Sequence, residues 1–165
     1  YQRAVDLHEV LDTTITVATS EYAGVATLQK EYGDLPPVAC WAGELSQSVL
    51  QLLVNAAHAV ADAKSATDEI GTIVIRTRHD IENDAAVIEV SDNGNGIPVD
   101  IQAHIFDPFF TTKEVGRGTG QGLAFVRSSV ERHRGELWFE TSPAGTTFFV
   151  RLPLAGVRSG TIETP

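Results

Sequence analysis

Methionine is absent from these 165 residues, and cysteine occurs once, as Cys40. A lone cysteine cannot close an intrachain disulfide, so nothing marks an oxidising compartment and the expected location is the cytoplasm. Basic residues are scarce too: 12 Lys and Arg stand against 22 Asp and Glu, for a formal charge of −10. That balance lacks the basic footprint of a nucleic-acid binder, and no nucleic-acid partner is expected. No apolar run approaches the roughly 18 residues of a membrane span. The opening YQRAVDLHEV is too polar for a secretory signal, so this segment should make no direct membrane contact. No CxxC or HExxH spacing involves Cys40 or the 5 histidines, and a zinc site is not expected.

What is present suffices for one core, with 42% of residues hydrophobic. Leu7, Val10, Leu11 and Ala18 share one face of a first helix, and Asp6 with Glu9 has the spacing of a capping box. Over residues 44–63, Leu45, Val49, Leu52, Leu53, Ala56 and Val60 form an apolar stripe at helical spacing. Two strands follow, GTIVIRTR and AAVIEVSD, joined by DIEND. From Asn93 to Gln121 no period is sustained. A helix then runs over 122–134 with Gly135 as its stop, and ELWFET and TTFFVRL close the domain as a hairpin around SPAG. Strands joined by tight turns, with helices to cover one face, imply an α+β two-layer sandwich with a mixed, mostly antiparallel sheet.

Several polar groups stand out from this frame. Glu44, Gln47, Gln51, Asn55, His58 and Asp62 make a second stripe on the long helix. A polar stripe ordinarily faces solvent, but this one is rich in amides and carries no Lys or Arg. In GRGTGQGL, glycines at 116, 118, 120 and 122 immediately precede a helix. Successive glycines allow backbone N–H groups to converge, and a helix N-terminus adds partial positive charge, so an anion is the natural guest. The spacing is neither a P-loop nor a dinucleotide fingerprint. Asp92-Asn93-Gly94-Asn95-Gly96 ends a strand. It has the composition of an ordinary turn, yet an Asp there can also accept a hydrogen bond from a flat polar ring.

Taken in order, NAAHA with Asn55, DNGNGI from Asp92, FDPFFTTK from Phe106, GRGTGQGLA from Gly116 and GTTFFVRLP from Gly145 resemble five boxes of one family. They are the N, first glycine, F, second glycine and third glycine boxes of the ATP-binding catalytic domain of sensor histidine kinases. The resemblance implies a Bergerat-type sandwich over residues 1–154, with 155–165 a flexible tail or linker, and a mobile ATP lid from about Asn95 to Gln121. It implies Mg-ATP as ligand: Asn55 offering its amide oxygen to Mg²⁺, Asp92 accepting from the adenine amine, and Gly94, Gly96 and Ile97 approaching the ring. Thr146 would support that polar end. Lys113 and Arg117 would be lid cations, with Lys113 joining Asn55 in catalysis. Gly118, Thr119, Gly120, Gln121, Gly122 and Leu123 would line the phosphates, and His58 the neighbouring helix face.

The chain departs from the family pattern where a second Asn, or in related hydrolases a glutamate base, is usual, because Gln51 stands there. Gln121 replaces the usual Leu. The resemblance further implies that the phosphoacceptor histidine belongs to a separate dimerisation domain of the same protein, with a response-regulator receiver domain served indirectly. His8-Glu9 lacks the proline that commonly follows such a histidine, and His8 reads as an ordinary polar helix residue. The chain is thus expected to be the catalytic part of a larger kinase. The alternatives are a serine-phosphorylating anti-sigma-type kinase and an ATP-sensing module of the same fold.

Overall fold

Helix α1 (Leu7–Tyr22) starts where the Asp6 carboxylate accepts the His8 N–H at 3.0 Å. The cap therefore closes on the second amide of the helix rather than on Glu9, the third, as a capping box would. The computed structural model describes residues 2–64, 69–110 and 122–156. Three short or edge elements come before the long helix: β1 (Arg3–Val5), β2 (Ala26–Tyr32) and β3 (Val38–Cys40). Then follow α2 (Ala42–Lys64), β4 (Gly71–Asp80), β5 (Ala85–Asp92), a 3-10 stretch (Val99–His104), α3 (Gly122–Arg132), β6 (Glu136–Ser142) and β7 (Gly145–Pro153).

The main sheet runs in the order β2-β4-β5-β7-β6, and β1 pairs with β3 in a separate two-stranded sheet. β2 and β4 are parallel while the other neighbours are antiparallel, so the sheet is mixed and mostly antiparallel, as the turn signals imply. Strand alternation sends Ile73, Ile75, Ala86, Ile88, Val90, Phe148, Val150 and Leu152 to one face. Leu11, Ile15, Leu45, Val49, Leu52, Leu53, Ala56, Val126 and Val130 meet them from the three helices. Burying each large aliphatic group contributes about 1.5–3 kcal/mol, which makes this interface the main stabilising term. The opposite face carries cross-strand pairs instead: Arg76 with Glu31, Arg78 with Glu89, and Arg151 with both Asp80 and Glu136. Trp138 stacks on Phe149 there, their ring centroids 5.0 Å apart.

Helix α3 ends differently from the expectation that Gly135 is its stop. Arg134 takes the left-handed conformation at φ 56°, and the Gly135 N–H bonds the Val130 carbonyl at 2.9 Å. Gly135 serves space rather than φ, since a Cβ there would lie 2.2 Å from the Arg151 carbonyl oxygen. Cys40 is buried, which pushes its thiol up to about 11, as befits a core residue rather than a nucleophile. His8 is also engaged structurally: its ring stacks on Tyr32 at 4.3 Å and its Nε2 lies 2.8 Å from Thr77 Oγ1.

Candidate functional site

Helix α2 forms one wall of the site because its apolar face is fixed on the sheet, which turns the amide stripe away from the core. Two glycines mark what that wall faces. A Cβ at Gly122, the first residue of α3, would lie 2.5 Å from Gln51 Oε1. A Cβ at Gly94 would lie 2.8 Å from the Ala59 carbonyl oxygen. Gln51 and Ala59 are eight residues apart, about 12 Å along a helix, and Asn55 stands midway on the same face. Asn55 and the neighbouring His58 are half-buried. The wall thus meets the α3 N-terminus at one end and the loop after β5 at the other.

Asp92 closes the second end. It is the last residue of β5, 7% exposed, and its Oδ1 accepts the Gly94 N–H at 2.9 Å. Burial pushes its carboxyl above the usual range, with the backbone amides of Gly94 and Thr146 acting the other way. Thr146 lies directly opposite Asp92 on β7 and is itself buried. The loop is held close to the hairpin: Gly96, at φ 81°, would place a Cβ 2.0 Å from the Ser142 carbonyl oxygen. At Gly145 a Cβ would come as close to the Asp92 carbonyl oxygen, at 2.0 Å. Both positions exclude a side chain, and this close packing keeps the loop beside the carboxylate.

One residue at this end escaped the sequence reading. Thr141 of β6 pairs with Thr146, and their hydroxyl oxygens are 2.8 Å apart. The same Thr141 oxygen accepts the Ile97 N–H at 2.9 Å. No local pattern marks it: the β6–β7 register sets Thr141 across from Thr146, and the β5–β7 register sets Thr146 across from Asp92.

The structure therefore gathers Asp92, Gly94, Gly96, Ile97 and Thr146 at one end. It sets Asn55 and His58 along the wall, and Gly122 with Leu123 at the other end. Lys113, Arg117, Gly118, Thr119, Gly120 and Gln121 lie outside the described residues, as does most of the glycine-rich segment. Phe106 packs within the aromatic group of Phe139 and Phe148, at centroid distances of 6.1 and 6.3 Å. Phe109 is 71% exposed, at φ 64°. Phe110 is half-buried against the core.

Chemically, the arrangement offers a buried acceptor beside hydroxyls at one end and an amide oxygen midway. A helix N-terminus, favourable to anions, stands at the other. A molecule that is flat and hydrogen-bonding at one tip and anionic at the other matches it.

Comparisons with known proteins agree with that reading. The chain is 40% identical over 134 residues to the sensor kinase CckA of Brucella abortus, covering 73% of this chain and 13% of that protein. It is 35% identical over 164 residues to the sensory histidine kinase/phosphatase NtrB of Azospirillum brasilense, covering 92% of this chain and 39% of the relative. The chain thus spans well under half the length of either. Among solved structures it resembles the nucleotide-free catalytic domain of the histidine kinase ThkA, with TM-score 0.78, 25% identity, and 93% and 96% of the two chains covered. The mycobacterial sensor histidine kinase MprB is similar at TM-score 0.73 and 27% identity, covering 94% of this chain and 98% of that one. Residues 42–156 match the family described as histidine kinase-, DNA gyrase B-, and HSP90-like ATPase, which is more than half of the sequence, and the chain belongs to that family.

Proposed function

We propose that this chain is the catalytic domain of a two-component sensor histidine kinase. It binds Mg-ATP along α2 and donates the γ-phosphoryl to a histidine carried by a separate dimerisation domain. The observation that carries the reading is the wall itself. Asn55 lies midway between the α3 N-terminus, touched by Gln51, and the Asp92 loop, touched by Ala59. Adenine fits the Asp92 end and the phosphates the α3 end, which leaves Asn55 beside the polyphosphate.

The donor set suits Mg²⁺. A hard cation that retains waters and substrate phosphates needs only one or two protein oxygens, and the Asn55 amide supplies a neutral one. Held by the Asn55 amide oxygen, the ion would supply neutralisation of the charge that develops on the phosphates during transfer. The chain's own residues bind, orient and exclude water. The Asp92 carboxylate, with Gly94 holding one oxygen, presents the other to an exocyclic amine. Gly122 and Leu123 open α3 toward the phosphates, and Lys113, Arg117, Gly118, Thr119, Gly120 and Gln121 complete that end in the proposal. Gln51 takes no proton, so it leaves water unactivated where a carboxylate would act as base. Transfer then rests on positioning and charge stabilisation.

The dimerisation domain is the direct partner in this reading, and a response-regulator receiver domain takes the phosphoryl afterwards. Among the described residues no helix is long and apolar enough to cross a membrane, and the proposal places this segment in the cytoplasm. The domain would occupy residues 1–154, with 155–165 a tail or linker.

The test is phosphorylation in trans. The protein with γ-labelled ATP and Mg²⁺ is mixed with the isolated histidine-bearing hairpin of a related kinase such as the Azospirillum protein. Label that is stable to base and labile to acid on that hairpin is the expected result. Acid-stable label on serine of an anti-sigma partner would move the assignment to that class, and ATP binding without transfer to either would leave a sensing module.

A further inference from the structure

We propose that Thr141 is a positioning residue for base recognition, setting the direction of the Thr146 hydroxyl so that it donates to the ring nitrogen beside the exocyclic amine. The inference rests on the assignment of the Asp92 end to adenine. Its basis is the order of hydrogen bonds along one row of the sheet, Asp92 on β5, Thr146 on β7 and Thr141 on β6, which are directly paired across the strands.

A threonine hydroxyl has one proton to give and two lone pairs to receive with. The Thr141 oxygen already receives the Ile97 N–H at 2.9 Å. Its own proton has two acceptors in reach, Thr146 Oγ1 at 2.8 Å and the Gly145 carbonyl oxygen at 3.5 Å. The shorter contact is a sound hydrogen bond and the longer is at the limit of one. With Thr141 donating to Thr146, the Thr146 proton is turned away from Thr141 and is free for a ligand. The row then presents an acceptor, Asp92, beside a donor, Thr146.

Adenine carries the complementary pair on its Watson–Crick edge, an amine that donates and a ring nitrogen, N1, that accepts. Guanine carries the reverse, a carbonyl oxygen and a protonated N1. The hydroxyl row therefore adds a second reading of the same base edge, one that Asp92 alone does not provide. Thr141 touches no ligand in this scheme. It acts through Thr146, and through Ile97 it also holds the loop at Gly96, where an added Cβ would lie 3.1 Å from the Thr141 hydroxyl oxygen.

The experiment compares Mg-ATP with its 1-deaza analogue, which has CH in place of N1, by calorimetric titration of the wild type, T141V and T141S. The wild type is expected to bind ATP about tenfold more tightly than the analogue, the scale of one buried hydrogen bond. T141V should lose about tenfold for ATP and little for the analogue, while T141S, which keeps the hydroxyl, should match the wild type. A purely structural role for Thr141 predicts equal losses for both ligands in T141V, and that result overturns the proposal. Equal affinity of the wild type for both ligands overturns it as well, even if T141V does not fold. Asp92→Asn serves as the control. Weakened ATP binding in that variant with no difference between the ligands rejects only the role of Thr141. Unchanged ATP affinity in Asp92→Asn rejects the adenine assignment and this inference with it.

Discussion

Gln51 on α2 faces Gly122 at the first turn of α3, close enough that a Cβ on Gly122 would lie 2.5 Å from the amide oxygen. The two helices thus meet through an uncharged amide at the end assigned to phosphate. A carboxylate in this place would be a base beside the γ-phosphoryl. Gln51→Glu is nearly isosteric and is expected to raise basal ATP hydrolysis by at least about tenfold, a tenth of the roughly hundredfold at the low end of general-base effects. Steady-state phosphate release checks it, and an unchanged rate would show that position 51 does not face the reacting phosphate.

In the proposed binding mode Asn55 would separate the metal-dependent part of binding from the base-dependent part. Asn55→Ala would then remove one oxygen from the Mg²⁺ shell and leave the Asp92 end untouched, one helical turn or more away. Mg-ATP affinity should fall at least about tenfold while adenosine affinity stays within about twofold. Titrations with and without Mg²⁺ distinguish this from general damage, which would weaken both ligands alike.

The long-range geometry explains which of these groups were legible beforehand. The stripe from Leu45 to Val60 shows in the sequence because a helix on a sheet must repeat its apolar residues at helical spacing. Asp92, Gly94 and Gly96 show because a strand end and its turn are local events. Thr141 does not, since its role depends on Ile97 and on the β6–β7 register, and one Thr in an edge strand carries no pattern. β1 was missed for a related reason: its three residues pair with Val38–Cys40, far along the chain. At the end of α3 the expected roles of two neighbours were exchanged. Gly135 signalled left-handed backbone, but close approach to Arg151 requires the glycine and Arg134 takes the turn. The resemblance located the family, whereas the close approaches of Gln51 to Gly122 and of Ala59 to Gly94 depend on how distant segments pack.

Asp92 also makes a pH-dependent contribution to stability. Burial raises its carboxyl, so the folded state holds that proton to a higher pH than the unfolded chain does. The ionised form therefore costs stability above the raised value, and the cost is relieved as pH falls through it. Asp92→Asn carries no charge at any pH. The variant should be more stable than wild type near pH 7, with the advantage shrinking toward about pH 4, while ATP affinity falls. Urea midpoints across that range provide the check. An advantage that grew on acidification would contradict the sign.

His133 and Arg132 both tie the end of α3 to the start of α2, and magnitudes separate them. His133 is 2% exposed; its Nδ1 donates to the Ser129 carbonyl at 2.7 Å and its Nε2 accepts the Trp41 N–H at 3.1 Å. Trp41 meets the ring edge-on, with centroids 4.9 Å apart. Arg132 instead reaches Glu44 at 2.7 Å in solvent, with about half of its side chain exposed. An exposed ion pair contributes about 0–1 kcal/mol, because water screens it and two long side chains lose freedom. Removing the buried ring leaves the Trp41 amide without its acceptor and opens a cavity. Each effect has a cost, and together they amount to about 3 kcal/mol. His133→Ala should therefore lower the urea midpoint several times more than Arg132→Ala. Since α3 begins at Gly122, at the end the proposal assigns to phosphate, His133→Ala should also weaken Mg-ATP more than adenosine. Equal stability losses in the two variants would mean that the surface pair, not the buried imidazole, anchors α3.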